Sequence, residues 1–477
     1  MIILNIKTRT PIFTGDVKSE SKHLRETGIM GSLRWWYEAL VRGVDGGTAC
    51  DPTTDGKCPD EDGRLCDACN LFGATGQARK FSLQVYSSHG STMPTDRIRV
   101  SLGSGWYLPE GWHGEFSLFL NGLRGNNEVE SLLKVLLALQ AKWSGIGARN
   151  YLGYGVFDLY DESGEIVDVT DDELQRFFDF IERPRDNRRV RDSVNMAELP
   201  SLKEMFFCKL TFTLSELESV LRARRAEIHT KREANTPLSL RGFRDDEDAS
   251  RLVDECYAHL SPFIPTAAHV RYSLRQLFRG QRLKGTITEF YHERGFGFIS
   301  PDDGGNDIFV HKNAVNKFDL NRMFPGTQVE FDKEVGRDGR HRAQNVRLPT
   351  PDVCGLMNCP YDSHQSPSPL NRLNDVYVRE FRHKTLGVSA GDEKEGAKIA
   401  ASHLYKVDNQ WQMRIWGYIP TFTLSSDAKE FLIDTFQKEK FWRHCFGVNV
   451  TFAQTSIVKR WDGSMEYKDF VADLIQR

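Results

Sequence analysis

One stretch of this 477-residue chain follows a different rhythm from everything around it. Residues 283–348 run as short alternating strand-like segments, whereas the flanks combine strands with amphipathic helices. That switch of period marks an inserted all-β domain with chain on both sides. Within it, Arg294-Gly295-Phe296-Gly297-Phe298-Ile299 and Ile308-Phe309-Val310-His311 set aromatic side chains two residues apart. Strand alternation puts Phe296 with Phe298, and Phe309 with His311, on one face. In an anonymous strand such residues are barrel core. Gly295 and Gly297, placed between the phenylalanines, favour an exposed platform, on which each stacked base is worth about 1–3 kcal/mol.

On these residues, positions 284–348 resemble the cold-shock domain along its whole length. Arg294–Ile299 is similar to that family's first ribonucleoprotein motif and Ile308–His311 to the second. The strand Gly326-Thr327-Gln328-Val329-Glu330-Phe331 fits as well. The resemblance implies a five-stranded OB-type barrel that binds single-stranded nucleic acid. It carries Phe290, Arg294, Phe296, Phe298, Phe309 and His311 over as nucleic-acid contacts. Two positions depart from the family. Glu289 stands where a surface tryptophan is usual, and Lys312 where a phenylalanine often follows the histidine. The platform is therefore expected to be smaller, with Glu289 repelling phosphate.

The flanks read as two lobes of α+β type. Residues 2–8 are a strand, and 31–42 a helix with Ser32 as N-cap and Leu33, Trp36, Tyr37 and Leu40 on one face. Trp35 and Arg34 fall off that face. Strands follow near 80–87 and 115–120, then an amphipathic helix over 129–142. Next come the glycine-rich loop Gly145-Ile146-Gly147-Ala148-Arg149-Asn150-Tyr151-Leu152-Gly153-Tyr154-Gly155 and a strand over 156–159. Residues 184–200 read as a linker. A second lobe begins with the strand 205–212, resumes after 350 with a strand over 411–419, and closes with a helix over 426–440. The expected domains are 1–183 with a Cys-bearing insertion at 45–70, then 201–282 joined with 349–477, and the insert 283–348.

Net charge is −3, which argues against a general nucleic-acid sponge but not against a local basic groove. Two arginine-rich runs offer one: Arg183, Arg185, Arg188, Arg189 and Arg191, then Arg222, Arg224, Arg225, Lys231 and Arg232. Most such runs are solvated faces. No run of about 18 apolar residues spans a membrane. The opening Met1-Ile2-Ile3-Leu4-Asn5-Ile6-Lys7 lacks a signal peptide's basic region and cleavage site, so a cytoplasmic protein is expected.

The N-terminal segment resembles RAMP proteins of type III CRISPR systems, and within them the first-subunit family of the type III-B (Cmr) effector complex. The resemblance rests on Thr10-Pro11-Ile12-Phe13-Thr14-Gly15, on Arg25-Glu26-Thr27-Gly28-Ile29-Met30-Gly31-Ser32-Leu33-Arg34-Trp35-Trp36-Tyr37, on Cys66-Asp67-Ala68-Cys69-Asn70-Leu71-Phe72-Gly73, and on the loop Gly145–Gly155. It is strong over residues 1–160. Beyond them Ala401-Ser402-His403-Leu404 and Gly417-Tyr418-Ile419-Pro420 match best. It implies two ferredoxin-like (RRM-like) lobes and a non-catalytic role in antiviral defence. The partners implied are the 3′ part of the crRNA, the paired target RNA and the other Cmr subunits. The residue chemistry points the same way. A glycine-rich loop lets backbone N–H groups approach phosphates. Arg149 and Asn150 add charge and hydrogen bonds, and Tyr151 and Tyr154 offer faces to bases. Gly145, Gly147 and Gly153 shape the loop, Arg34 meets phosphate near a helix N-terminus, and His23 and Arg25 precede that helix as further contacts.

Cys50, Cys58, Cys66 and Cys69, spaced C-x7-C-x7-C-x2-C, sit in a polar insertion with no apolar core of its own. Structural zinc is the expected staple in a reducing cell. Cys354 and Cys359, with His364 and His383, form a weaker second candidate. Two rival functions remain. One is a RAMP endoribonuclease, for which His23 and Asp16 are the only nameable catalytic groups. The other is a free cold-shock-type RNA chaperone, which leaves the flanking lobes unexplained.

Overall fold

The computed structural model describes residues 1–15, 20–51, 57–88, 90–95, 98–101, 106–123, 127–189, 199–213, 263–264, 266–277, 283–315, 319–335, 339–349, 382–390, 393–408, 410–419, 425–446, 450–453 and 456–476. Asp16, Arg191, the second basic run, Cys354, Cys359, His364 and Pro420 lie outside them. The chain forms two compact units, Met1–Arg271 with Lys384–Arg477, and Tyr272–His383.

In the first unit, strand β1 (Ile2–Thr8), helix α1 (Glu26–Gly43), the strands Phe81–Tyr86 and Trp112–Gly122, helix α3 (Asn127–Trp143) and the strand Phe157–Tyr160 make a βαββαβ chain. A short helix α2 (Asp67–Phe72) lies in the Cys insertion. The sheet is antiparallel, with β1 between Trp112–Gly122 and Phe157–Tyr160, and Phe81–Tyr86 outermost. This is the ferredoxin-like arrangement. The second lobe repeats it: Met205–Thr213 is flanked by Gln410–Tyr418 on one side and by Thr451–Phe452 and Ile457–Arg460 on the other, and Leu404–Val407 pairs beyond Gln410–Tyr418.

Helix α1 is longer than the sequence suggests. Ile29 is fully buried and extends the apolar face of Leu33, Trp36, Tyr37 and Leu40 by one turn. The helix therefore starts at Glu26, and Ser32 is no cap. It sits mid-helix, buried, with Oγ donating to Gln140 Oε1 at 2.9 Å. The predicted helix at 426–440 is two helices, Ser425–Phe436 and Glu439–Phe446.

One core joins both lobes. Trp36 and Trp143 lie with ring centroids 6.1 and 6.0 Å from Phe207 on the second lobe's central strand. Helix Tyr467–Gln476 returns to the first lobe. Tyr467 Oη donates to Leu40 O at 2.8 Å, and Trp143 Nε1 donates to Leu474 O at 2.6 Å. The seam also holds two cations, Arg414 buried and Lys209 half-buried. Arg414 donates to Ser144 O at 3.1 Å and to Tyr405 Oη at 3.0 Å, and its cross-strand neighbour Lys209 lies 4.9 Å over the Trp143 ring. Burial, with Arg414 and Lys142 close by, pushes the Lys209 ammonium down to about 7.

The second unit contains a closed antiparallel-dominated barrel, in the order Leu283–Tyr291, Phe296–Pro301, Ile308–His311, His341–Arg347 and Gln328–Val335. Its core is Ile287, Phe290, Ile299, Ile308, Val310, Val329, Phe331 and Val346 with their neighbours. Among the described residues no helix is long and apolar enough to cross a membrane.

Candidate nucleic-acid interface and metal centre

The glycine-rich loop is built by packing against the turn that follows β1. Ala148 N donates to Phe13 O at 2.8 Å, Gly155 N to Pro11 O at 2.7 Å, and Ile146 N to Gly155 O at 2.8 Å. These contacts explain the glycines. A Cβ on Gly145 would meet Gly155 carbonyl carbon at 2.9 Å, one on Gly147 would meet Phe13 O at 2.7 Å, and one on Gly153 would meet the His403 ring at 2.5 Å. Gly147 and Gly153 also hold φ of +84° and +100°, which favour glycine. Their missing side chains thus face protein, and the amides of Ile146, Ala148, Leu152, Gly153 and Gly155 are spent on the loop's fold. That corrects the expectation that the glycines clear a path for phosphate.

Two further residues turn inward. Asn150 Nδ2 donates to Tyr154 O at 3.0 Å, with Ile146 O at 3.5 Å, stapling the loop from within. Tyr154 is 2 % exposed, with its hydroxyl donating to Pro109 O and its ring edge-on to His403, so it has no face for a base. What the loop does expose is its crest. Ala148 is exposed, Tyr151 is 37 % exposed beneath the Arg271 guanidinium at 4.6 Å, and Arg149 lies 4.3 Å over the Phe13 ring. Arg149 holds a left-handed φ of +59°, which costs a non-glycine residue about 1–3 kcal/mol and is kept only because the surrounding loop imposes it. The turn brings His23 and Arg25 to the same region: Thr14 Oγ1 donates to His23 O at 2.9 Å and accepts from Arg25 N at 3.0 Å. His23 is exposed and Arg25 half-buried.

Arg34 is not at a helix N-terminus. It lies two turns into α1 and points to the cysteines, donating to Glu38 Oε1 at 2.8 Å, Gly73 O at 3.2 Å and Cys69 Sγ at 3.2 Å. Cys50, Cys58, Cys66 and Cys69 are all buried, and their sulfurs lie within 4.8 Å of one another, with Cys50 to Cys69 at 3.6 Å. Four thiolates at 2.3 Å from one tetrahedral ion lie about 3.8 Å apart, so the set fits a metal ion. Hydrogen bonds from Cys50, Cys66 and Cys69 hold the Cys58 thiol well below the usual thiol range. Three arginines of the first run, Arg185, Arg188 and Arg189, lie beside this centre, whereas Arg183 pairs with Glu128. Arg185 and Arg188 both pair with buried Asp67, and Arg189 stands 3.8 Å from Cys58 Sγ. Segment 185–189 also pairs by backbone with Leu65. This part of the expected linker is thus structural, tied to the insertion.

On the barrel, Phe296, Phe298, Phe309 and His311 share the outer face, as alternation requires. Phe296 stacks on Phe309 at 5.9 Å, Phe298 lies 6.0 Å from Phe309, and Phe296 is the register partner of His311. Arg294 is exposed in the preceding turn. Phe290 is the exception. A bulge between Ile287 and Glu289 shifts the parity of the strand, so Ile287 and Phe290 both point inward and Phe290 joins the core. The same shift exposes Tyr291, which the sequence reading missed. Its ring is 5.3 Å from Phe296 and its hydroxyl donates to Glu289. That hydrogen bond to a carboxylate raises the Tyr291 pKa. The signal was available: once Phe290 is inside, Glu289 and Tyr291 are both outside. Gly295 (φ +72°) is covered by the Lys312 stem, which a Cβ there would meet at 2.5 Å.

Comparison with known proteins divides the chain in the same way. Residues 5–158 match the RAMP superfamily, and residues 283–349 match the "cold-shock" DNA-binding domain. Over 70 residues the chain is 47% identical to glycine-rich protein 2 of Nicotiana sylvestris, covering 15% of this chain and 33% of that one. It is 36% identical over 67 residues to cold shock-like protein CspE of Escherichia coli K12, covering 14% of this chain and 97% of that protein. The chain spans only about a third of the length of glycine-rich protein 2 and of cold shock domain-containing protein 4 of Arabidopsis thaliana, another curated relative. Among solved structures it is similar to Cmr1 from Pyrococcus furiosus at 11% identity and TM-score 0.27, covering 88% of this chain and 89% of that one. A chain of the type III-B Cmr-beta complex bound to cognate target RNA gives 10% identity and TM-score 0.32, covering 93% and 100%. Scores this low add nothing to the fold assignment, which rests on the strand order.

Proposed function

We propose that this chain, which belongs to the RAMP superfamily through residues 5–158 and carries a cold-shock domain over residues 283–349, is a non-catalytic RNA-binding subunit of a type III-B CRISPR RNA-guided effector complex. In this reading it contacts the 3′ part of the crRNA and the paired target RNA, and assembles with the other Cmr subunits in antiviral defence. The observation that carries it is the loop crest. Ala148, Arg149 and Tyr151 are held outward by a scaffold that spends its other polar groups internally, beside His23 and Arg25. Such a crest supplies charge for phosphates and one ring for a base, and reads shape rather than sequence. The barrel adds a second, independent aromatic surface, which suits single-stranded RNA.

The non-catalytic part of the reading rests on the endoribonuclease candidates. His23 is an exposed loop residue held through its backbone carbonyl, and neither it nor Asp16 has a second catalytic partner at recognisable spacing in the sequence. The four-cysteine centre is assigned to zinc: a closed, buried set of four thiolates suits a structural ion, which would cross-link the insertion to α1 through Arg34 and to segment 185–189.

The test is co-purification of the tagged chain from its host, with sequencing of bound RNA and mass spectrometry of bound protein. Repeat-derived small RNA recovered with several RAMP proteins supports the reading. The chain alone, or with miscellaneous mRNA, leaves the cold-shock barrel as the better guide. Guide-dependent cleavage lost in His23→Ala would replace "non-catalytic" with endoribonuclease.

A further inference from the structure

We infer that the four cysteines and the arginines around them form one charge-balanced unit, a divalent-metal tetrathiolate that clasps the segment joining the two lobes and holds it only while the ion is bound. The inference rests on the metal reading above and deepens it, from a staple within the insertion to a control on the linker.

Charge carries the argument. Two carboxylates beside the thiols are each shared by two arginines. Glu38 accepts from Arg34 at 2.8 Å and from Arg42 at 3.4 Å, and Asp67 pairs with Arg185 and, at 2.8 Å, with Arg188. Arg189 has Asp60 at 3.8 Å. In this ion-paired cluster five arginines therefore meet three carboxylates, an excess of two positive charges, and none of the side chains is more than 25% exposed. Asp51 and Lys57, next in sequence to Cys50 and Cys58, cancel each other, and Glu61, Asp62, Arg64 and Asp186 are exposed to water. A desolvated charge without a counter-charge is costly. Four thiolates around a divalent ion carry two negative charges, which match the excess. Four thiols or two disulfides carry none, and a trivalent ion leaves one. Of these states the divalent tetrathiolate balances the cluster.

The donors are aimed at the sulfurs. Arg34 Nη2 donates to Cys69 Sγ at 3.2 Å and Arg189 Nη1 to Cys58 Sγ at 3.8 Å. The amides of Cys66 and Cys69 donate to Cys58 Sγ at 3.2 Å and Cys66 Sγ at 3.4 Å. Donors of this kind favour a charged acceptor. Three of the five arginines, Arg185, Arg188 and Arg189, come from the stretch between helix Asp171–Glu182 and the second lobe's strand Met205–Thr213. That stretch is tied to the insertion by Leu65 N donating to Asn187 O at 2.9 Å and Arg189 N donating to Leu65 O at 3.0 Å. Farther on, Pro200 O accepts from Arg42 at 3.0 Å. A short backbone bridge and a match of charge thus hold the linker. Without the metal thiolate the positive excess is uncompensated, and segment 185–189 gains most by moving out to water.

Metal analysis and hydrogen exchange on the full chain test the clasp. We expect one divalent ion per chain and, after cobalt(II) substitution, the absorption of a tetrahedral four-thiolate site. Chelation well below the unfolding midpoint quickens exchange at the Arg189 amide by about tenfold or more, while the amides of β1 keep their protection. Arg34→Met and Arg188→Met each weaken binding of zinc by about tenfold in chelator competition, and Arg34→Lys, which keeps the charge, restores most of the loss. In the iron-substituted chain both methionine variants lower the reduction potential, because the ferric site carries one negative charge fewer than the ferrous site and gains less from the arginines. A packing role alone does not move that potential. A chain that binds no metal at the cysteines overturns the metal reading and the clasp together. A bound ion whose affinity and potential ignore both substitutions leaves the metal reading standing and overturns the charge match. An Arg189 amide that stays protected after chelation overturns the hold on the linker.

Discussion

The loop crest and the cold-shock platform are two ways of holding aromatic and basic groups out to solvent, and they differ in what holds them. The platform is made by strand alternation alone. Phe296, Phe298, Phe309 and His311 point outward because Ile299, Ile308 and Val310 point inward. Each can be removed without disturbing the barrel beneath. The crest is made by its surroundings. Arg149 and Tyr151 project because Asn150, Tyr154 and four glycines are locked between the β1 turn and His403 of the second lobe. A periodic surface separates binding from stability, whereas a packed loop couples them.

The largest effect expected concerns the metal centre. On the zinc reading proposed above, a strong chelator, or Cys69→Ser, lowers the first unit's unfolding midpoint by about 10 °C or more, since a structural zinc site contributes on the order of 10 kcal/mol to local folding. The barrel's own transition stays in place. Calorimetry with metal analysis checks this; a shared shift of both transitions breaks the comparison. Next is Gly153→Ala, where the new methyl group meets the His403 ring and φ stays at +100°. A loss of about 2–4 kcal/mol is expected, together with weaker RNA binding. Phe298→Ala is its mirror image: about 1–3 kcal/mol of RNA affinity lost in titrations with single-stranded RNA, with little change in the barrel's melting.

A smaller effect is titration at the seam. The folded-state pKa of Lys209, about 7, lies below its ordinary 10.5, so the folded state holds fewer protons between these values and stability rises with pH across that window. The cost of the desolvated charge is present in full below pH 7. Lys209→Met flattens the profile, and denaturant midpoints at pH 6.5 and 9 measure it. The smallest effect is Glu289→Gln, which removes a negative charge beside the platform and frees Tyr291; RNA binding tightens by about 0.5 kcal/mol, most visibly at low salt.

The same difference decides what was legible in the sequence. The barrel, its outer face and the four-cysteine set could be read because period and spacing are local properties. The ferredoxin-like lobes are expected from the RAMP resemblance; the order of elements by itself yields only an α+β pattern. Phe290 was misplaced because one bulge reverses parity, and a bulge leaves no mark in composition. Asn150, Tyr154 and Arg34 were misread for another reason. The partners of Arg34 and Tyr154 include carbonyls, a thiol and a histidine tens to hundreds of residues away, those of Asn150 are carbonyls of its own loop, and a polar side chain looks the same whether it faces solvent or a buried carbonyl. The arginines at 185–189 looked like a solvated run, yet they neutralise Asp67 and the thiols.

Helix 467–476 gives the molecule a timetable. Tyr467 fills the space left by Gly43 and bonds to Leu40 across 427 positions, and Leu474 caps the indole of Trp143. The first lobe is therefore the last to be finished during synthesis. The 323 residues from 144 to 466 emerge from the ribosome between α3 and the helix that covers it, and the whole barrel is among them. Through that interval the nascent first lobe carries an open apolar surface, while the barrel, whose strands are all within 65 residues of one another, closes early.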